Sequence, residues 1–194
     1  MADKPGSYPD SAKAGRLIRF HGGDKGGQWR AQESRTVTGL GLAPVTFLQI
    51  DEAPPPERCQ WTLSAFVSNL RYTTADEREA LLERQEGLGR PESHCAVLIP
   101  IRKSSDWWSM AQDERRAIYE RSNHTPIGLA YLPAIARQLH HCRDLGEPFD
   151  FLTWFEFAES ETDRFRALLA ELRSTEEWTY VERECEIWLT KNIP

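Results

Sequence analysis

The histidines of this chain are concentrated in one segment, where a ligand for a metal or a cofactor would most readily be sought. Three of the five histidines, His124, His140 and His141, lie between residues 121 and 157. Histidine is the commonest metal ligand among protein side chains. In the same segment Arg137 interrupts the apolar run "LAYLPAIARQL". A guanidinium stays charged and offers several donors, so Arg137 could form a salt bridge or bind an anion at the mouth of an apolar pocket.

Strand periodicity shows which of these histidines could act together as metal ligands. If "QLHHCRDL" is a strand, its successive side chains point to opposite faces, so His140 and His141 cannot easily bind one ion. His140 and Cys142 would share a face, but two ligands are too few for a closed zinc site. Both histidines are therefore expected to be ordinary polar residues at a sheet rim or interface. His124, near the end of a predicted helix, remains open as a ligand, a helix cap or a core residue.

Acidic and aromatic clusters could complete a site around such a histidine. Glu176 and Glu177 in "STEEWTYVERE" are expected mainly to be solvated at a helix end. One of them could instead accept the Nδ1 proton of a metal-bound imidazole, which would orient the ring and raise its basicity. The seven tryptophans are compatible with an ordinary core and also with the lining of a broad apolar cofactor pocket.

Composition excludes several classes of function. The chain has 24 basic and 30 acidic residues and a net charge of −6, which gives no electrostatic reason to expect nucleic acid or a membrane surface as partner. Its apolar runs are too short to span a bilayer. The first residues contain acids and prolines where a signal peptide needs an apolar core, which predicts a cytoplasmic protein. The four cysteines form no CxxC pair and are expected to be buried free thiols.

The elements that would position these side chains predict an α+β fold. The order from about residue 94 is strand, helix, strand, strand, helix, strand, which is the ferredoxin-like arrangement. The preceding part is a shortened version of the same order. We therefore expect a flexible tail over residues 1–12 and two fused ferredoxin-like halves, 13–92 and 93–194, that close into an α+β barrel. The predicted helices are "TTADEREALLERQEG", "SSDWWSMAQDERRAIYERSN" and "ETDRFRALLAELRS".

Taken in order, four segments of the sequence resemble the chlorite dismutase family of haem b enzymes in its short form. They are "KSSDWWSM", "ERSNHTPIGLAYLPAIARQL", "DFLTWFEF" and "EEWTYVERE". The resemblance covers roughly residues 58–190 and departs only in the first 55 residues, where longer members carry a fuller N-terminal half. It implies a dimeric α+β barrel, a ferric haem b, and conversion of chlorite to chloride and dioxygen with formation of an O–O bond. It also implies a homodimer and a role in chlorite detoxification.

The resemblance assigns roles to individual residues. His124 matches the proximal ligand of the haem iron, and Arg137, thirteen residues later, matches the distal arginine that keeps the chlorine oxyanion in the pocket. Glu177 matches the carboxylate that bonds the proximal imidazole, with Glu176 as the alternative. The remaining matches are Tyr72, at a haem propionate, Lys103, Trp107 and Trp108, on the proximal side of the haem, and Gln85, as a distal glutamine.

Three other interpretations of the sequence remain to be distinguished. A coproheme decarboxylase of the same superfamily lacks the distal arginine and relies on a tyrosine, so Arg137 argues against it. A haem carrier or sensor has no evident need for a cation over the iron. In an α+β barrel without a cofactor the tryptophans would be core residues only. Absence of a Soret band after addition of haem would indicate the last of these.

Overall fold

The computed structural model describes residues 15–67 and 73–192, and it has an α+β fold, as predicted. Its strands are β1 (Leu17–Gly23), β2 (Trp29–Thr38), β3 (Phe47–Asp51), β4 (Cys59–Val67), β5 (Cys95–Lys103), β6 (Ala136–His141), β7 (Phe151–Phe157) and β8 (Val181–Lys191). Its α-helices are α1 (Ala75–Arg84), α2 (Ser105–Ser109), α3 (Gln112–Arg121), α4 (His124–Ala130) and α5 (Thr162–Arg173). The predicted tail over residues 1–12 lies outside the described residues.

The strands form one closed antiparallel barrel in the order β1-β3-β2-β8-β5-β7-β6-β4. The first four strands follow one another in the barrel as β4-β1-β3-β2, and the last four as β8-β5-β7-β6. Each set thus has the spatial order fourth, first, third, second. The two sets meet at a seam between β2 and β8 and at a second seam between β4 and β6.

The helices are distributed unequally around this barrel. In the described chain no helix lies between β1 and β2 or between β3 and β4, and α1 follows the last strand of the first set. In the second set, α2, α3 and α4 connect β5 to β6, and α5 connects β7 to β8. The apolar face of α5 is buried, as its period predicts. An outer core therefore exists on the second set, between the sheet and α5.

Two differences from the predicted elements concern the segment between β5 and β6. The single helix predicted over residues 104–123 is two helices, because Met110 and Ala111 are extended. The Glu114 carboxylate accepts a hydrogen bond from the Ala111 N–H at 2.6 Å, so a new helix start is stabilised there. The following "HTPIG" forms α4, a helix that the predicted order of elements did not include. Its proline lies in the first turn, where the missing N–H costs no intrahelical hydrogen bond.

Two apolar cores support the fold. The barrel interior is filled by buried side chains from both sets of strands, including Phe20, Leu63, Leu98 and Trp154. The outer core has Phe157 and Phe165 at its centre. All four cysteines are free, as predicted; Cys142 and Cys185 are buried, and Cys59 and Cys95 are half-buried. Within the described chain, no helix combines the length and apolar character needed to cross a membrane.

Candidate functional site

A broad apolar pocket lies on the outside of β5, β7 and β6, where α3, α4 and α5 cover the sheet. It encloses about 1260 Å³ of empty space, its open mouth included. The isoleucine, leucine and phenylalanine residues of its lining are Ile99, Ile101, Leu132, Ile135, Leu139, Phe151, Phe155, Leu168, Leu169 and Leu172. The pocket is therefore suited to a ligand with a mostly apolar surface.

One imidazole is oriented into this pocket by a buried carboxylate. His124 is the first residue of α4, and its Nδ1 lies 2.6 Å from Oε2 of Glu177. Because an ionised carboxylate can only accept a hydrogen bond, Nδ1 donates it, and in the neutral ring Nε2 would be the nitrogen with the free lone pair. Within residues 15–67 and 73–192, Nε2 has no hydrogen-bond partner. This is the arrangement of a metal-ligating histidine with an orienting carboxylate.

A second buried ion completes the surroundings of that carboxylate. Lys103 Nζ lies 3.0 Å from Oε1 of Glu177 and 3.1 Å from its backbone carbonyl. Burial alone would raise the pKa of Glu177, but the charges of His124 and Lys103, and their hydrogen bonds, outweigh burial and lower this pKa to about 2. Burial lowers the pKa of Lys103, and the attraction of Glu177 opposes that shift. Glu177 is therefore an ionised acceptor throughout the ordinary pH range.

The geometry distinguishes Glu177 from its neighbour Glu176. Glu176 is exposed and pairs with Arg121 at 2.8 Å, whereas Glu177 is buried beneath His124. Both belong to the 3₁₀ helix Glu176–Tyr180, whose first residues point in different directions. The sequence left both carboxylates open as partners of the imidazole. In the fold only Glu177 contacts it.

Arg137 reaches the same pocket from β6. Arg137 and Leu139 line it, whereas Gln138 and His140 line a different cavity inside the barrel, as strand alternation predicts. The guanidinium packs over Gly128 of α4, where an added Cβ would lie 3.4 Å from Nη1. In the described part of the chain, its side chain forms no ion pair or hydrogen bond. Arg137 therefore offers a cation with unused donors to an anion in the pocket.

The other residues predicted for the site lie in different environments. Trp107 is buried in the pocket lining with Lys103 Nζ 4.6 Å from its ring centroid. Trp108 does not line the pocket; its Nε1 donates to Asp150 at 3.0 Å, and Arg143 lies over its ring. Gln85, just after α1, donates from Nε2 to the Arg137 carbonyl at 2.9 Å. Tyr72 lies outside the described residues.

Two aromatic residues of the site were not singled out from the sequence. Tyr119 of α3 stacks on His124, with ring centroids 4.4 Å apart and an interplanar angle of 21°. Burial raises the pKa of Tyr119 to about 12, although Arg137 opposes this shift, so its phenol stays protonated. Trp178 forms another part of the wall. The available signal for Tyr119 was only its place on a helical turn before His124, which is typical of any packed aromatic.

The remaining histidines of the segment have hydrogen-bond partners away from the pocket. His140 Nδ1 lies 3.1 Å from the Leu152 carbonyl, and His141 Nε2 lies 3.1 Å from Asp144. The part of the chain that the structure describes contains no group of three or more histidine, cysteine, aspartate or glutamate side chains arranged to hold a metal ion. One histidine is too few for a bare ion, but it fits an iron whose other ligands are the nitrogens of a haem.

Comparison with known proteins agrees with this chemistry. The family model described as Chlorite dismutase matches residues 52–193. A chlorite dismutase from Ideonella dechloratans is 32% identical over 85 residues, which are 44% of this chain. This match spans 28% of the length of that relative.

Solved structures extend the similarity to nearly the whole chain. The dimeric chlorite dismutase from Nitrobacter winogradskyi is 50% identical, with a TM-score of 0.85 over 90% of this chain and 99% of the other. A mutant chlorite dismutase from Candidatus Nitrospira defluvii has a TM-score of 0.66 at 16% identity, covering 92% of each chain. At that identity the second similarity is evidence for the fold alone.

Proposed function

The chain belongs to the chlorite dismutase family, and from this membership and the geometry of the pocket we propose that it converts chlorite to chloride and dioxygen on a haem b held by His124. One observation carries the proposal. A single apolar pocket contains an imidazole bonded to a buried carboxylate and a guanidinium without a counter-ion in the described residues. The first suits a haem iron, and the second suits a small oxyanion bound near it.

The residues that would hold the haem follow from the lining of the pocket. Nε2 of His124 would bind the iron, and Trp107 and Lys103 would lie beside the macrocycle. Tyr72 and Trp108 remain predicted haem contacts from the family resemblance. When bound, haem b supplies the ferric iron at which the chlorine–oxygen bond of chlorite is broken.

Glu177 and Lys103 would act through the imidazole. Glu177 accepts the Nδ1 proton of His124, which fixes the ring orientation and increases the electron donation from Nε2. Lys103 balances the charge of Glu177, and both side chains are buried. An ion pair of this kind is costly to break, because removal of one partner leaves the other charge buried and uncompensated.

Arg137 would retain the anions of the reaction. One chlorite gives one chloride and one dioxygen, with no net gain or loss of protons or electrons. The residues of this chain therefore have to bind, orient and retain anions, and a general acid or base is not required by the balance of the reaction. A fixed guanidinium in an apolar pocket provides that retention because its interaction with an anion is weakly screened there.

The fold and assembly are part of the same proposal. The repeated strand order supports two fused ferredoxin-like halves, residues 13–92 and 93–194, of which the first lacks the two helices between its strands. The similarity to a dimeric chlorite dismutase supports a homodimer. A cytoplasmic location and a role in chlorite detoxification remain predictions from the sequence.

Oxygen evolution from chlorite tests the proposed function directly. The haem-loaded protein is mixed with chlorite in an oxygen electrode, and we expect one dioxygen per chlorite consumed. A protein that binds haem but releases no dioxygen would contradict the enzymatic assignment and favour a haem carrier, a sensor or a decarboxylase. Failure to bind haem at all would remove the basis of the site.

A further inference from the structure

A buried polar network begins behind the Lys103–Glu177 pair and leads away from the pocket. Trp178, the residue after Glu177, lines the pocket, and its ring centroid lies 5.5 Å from Lys103 Nζ. Its indole Nε1 donates a hydrogen bond to Oε2 of Glu184 at 2.9 Å. Trp178 therefore connects the lining of the pocket to β8 through a single directional hydrogen bond.

Glu184 is itself held on its other side. Its side chain is 1% exposed, and Oε1 accepts a hydrogen bond from Nε of Arg173, at the end of α5, at 3.0 Å. Arg173 also contacts Glu186, the next outward residue of β8, which pairs with Arg35 of β2 at 2.8 Å. The network thus crosses the seam between the two sets of strands. Each carboxylate in it has a basic partner, so the network is fully compensated in charge.

The position of Lys103 depends on this arrangement. Its ammonium lies between two indole rings, Trp107 at 4.6 Å and Trp178 at 5.5 Å from their centroids. Cation–π attraction is strong only when the cation stays over the face of the ring. Rotation of the Trp178 ring would break its bond to Glu184 and remove one side of this cage. Lys103 would then lose one of the contacts that hold it beside Glu177.

We propose that Trp178, anchored by Glu184, is a positioning residue that holds Lys103 against Glu177 and thereby sets the strength of the hydrogen bond from His124 to Glu177. The inference rests on the proposed function, because it takes His124 as the ligand of a haem iron. By this proposal, β8 and α5 help to set how strongly the imidazole donates electron density to the iron. Trp178 and Glu184 would do so without touching the haem iron or the substrate.

The test is the replacement Trp178→Phe, which keeps an aromatic ring but removes the indole N–H. We expect the midpoint potential of the ferric/ferrous couple to shift downwards in the haem-loaded variant. An ammonium that moves away from Glu177 leaves this carboxylate a stronger acceptor, so the imidazole becomes a stronger donor and stabilises ferric iron more. The stretching band between ferrous iron and histidine should move to higher frequency. A purely structural role for Trp178 would move neither quantity.

Trp188→Phe is the matched control. The Trp188 indole donates a comparable hydrogen bond, 2.7 Å long, to Glu186. Its ring packs against Phe165 and beneath Arg166 rather than beside Lys103. This variant should keep the wild-type potential and band. An equal shift in both variants would overturn the proposal, because general loss of packing would then explain the effect.

A second variant decides the matter if Trp178→Phe does not hold haem. Glu184→Gln replaces the charged acceptor of the indole bond with a neutral one, and we expect a smaller shift in the same direction. Wild-type potential and band in Glu184→Gln would then overturn the positioning role. Failure of the proposed function is recognised separately, because wild-type protein would then release no dioxygen from chlorite, or would lack the band of a histidine-ligated haem.

Discussion

At the scale of single residues, the site depends on ions that are kept apart from water. Glu177 faces the imidazole with one oxygen and Lys103 with the other, so both of its oxygens have a donor. Arg137 differs, because its guanidinium has no counter-ion in the described chain. The Lys103–Glu177 pair is therefore suited to support the imidazole, whereas the Arg137 guanidinium is suited to bind an anion. Three predictions belong to this scale.

The first prediction concerns His124 as the ligand of the haem iron. His124→Ala removes the proposed protein bond to the iron, so haem should be retained much more weakly. Loss of an outer partner of a metal ligand already costs about 10–100-fold in affinity, and loss of the ligand itself should exceed that range. Transfer of haem to an apo-acceptor protein, followed through the Soret band, measures the effect. Wild-type retention would show that His124 is not the ligand.

The second prediction concerns Arg137 as the residue that retains the anion. Arg137→Ala should leave haem bound but reduce kcat for chlorite by about 10²-fold, by analogy with the loss of one electrostatic donor in other active sites. More of the oxidised chlorine species should escape, and the haem should bleach faster during turnover. Oxygen release and Soret absorbance can be recorded in the same reaction. Wild-type turnover with a stable Soret band would remove the retaining role.

The third prediction concerns the buried ion pair of Lys103 and Glu177. Lys103→Met leaves Glu177 without its cation, and breaking a buried pair in this way costs about 3–5 kcal/mol of stability. Addition of Glu177→Gln in the same chain should restore much of the loss, because no unpaired charge then remains. Urea unfolding of the haem-free variants provides both values. A double variant no more stable than Lys103→Met would argue against this charge pairing.

At the scale of elements, α4 organises both functional groups. His124 and Gly128 are four residues apart on this helix and therefore lie on the same face, towards the pocket. His124 supplies the imidazole, and Gly128 leaves room for the guanidinium that arrives from β6. The helix begins after Asn123, whose left-handed backbone (φ 49°) ends α3 and redirects the chain. A short helix thus fixes the geometry of two residues with different roles.

The close approach at Gly128 gives a prediction for this element. Gly128→Val should displace the Arg137 guanidinium, and misplacement by about 1 Å can reduce kcat/KM for chlorite by up to about 10²-fold. Gly128→Ala is the matched control, because its Cβ would lie at 3.4 Å from Nη1 and needs little adjustment. Steady-state oxygen evolution and the haem spectrum should be measured for both. Equal kcat/KM in the two variants would show that this contact does not position Arg137.

At the scale of the whole molecule, the barrel is closed by two seams. β2 and β8 pair along most of their length, and in the described residues β4 and β6 pair through Phe66 with His141 and Val67 with His140. His140 at the seam between β4 and β6 is buried, and burial lowers its pKa from 6.5 to about 4, although a hydrogen bond with the Leu152 carbonyl opposes this shift. The neutral form of His140 is therefore part of the folded state.

This histidine makes the stability of the barrel dependent on pH. Its folded pKa is lower than its unfolded pKa, so its contribution is present above about pH 6.5 and is lost as the pH falls towards 4. One pKa unit corresponds to about 1.4 kcal/mol, so the contribution of His140 to the free energy of unfolding should fall by about 2 kcal/mol at pH 5.

Urea unfolding at pH 7 and pH 5 measures the effect against His140→Asn, which does not titrate. The wild-type protein should lose about 2 kcal/mol more than the variant between these two pH values. Other histidines contribute equally to both proteins and cancel in the comparison. The same loss in both would exclude His140 as the origin of the acid sensitivity.

Local patterns in the sequence were sufficient for most of the secondary structure and for part of the site. Hydrophobic period predicted the strands β5 to β8 and the helix α5, because the side of an element that is buried repeats at a short, regular interval. Alternation in β6 separated Arg137 from His140 for the same reason. The roles of His124, Arg137 and Glu177 came from the resemblance to a known family, because residue types and spacing alone do not name a reaction.

Only the tertiary structure decided which distant groups meet. Glu177 and His124 are 53 residues apart, and their contact depends on the direction in which a 3₁₀ helix points after α5. Tyr119 became part of the site, and Trp108 does not line the pocket, because the segment between β5 and β6 breaks into three helices rather than one. The hydrophobic period of a sequence predicts which side of a single helix or strand is buried. The partners of a buried group are set by the packing of several elements together, which no local pattern contains.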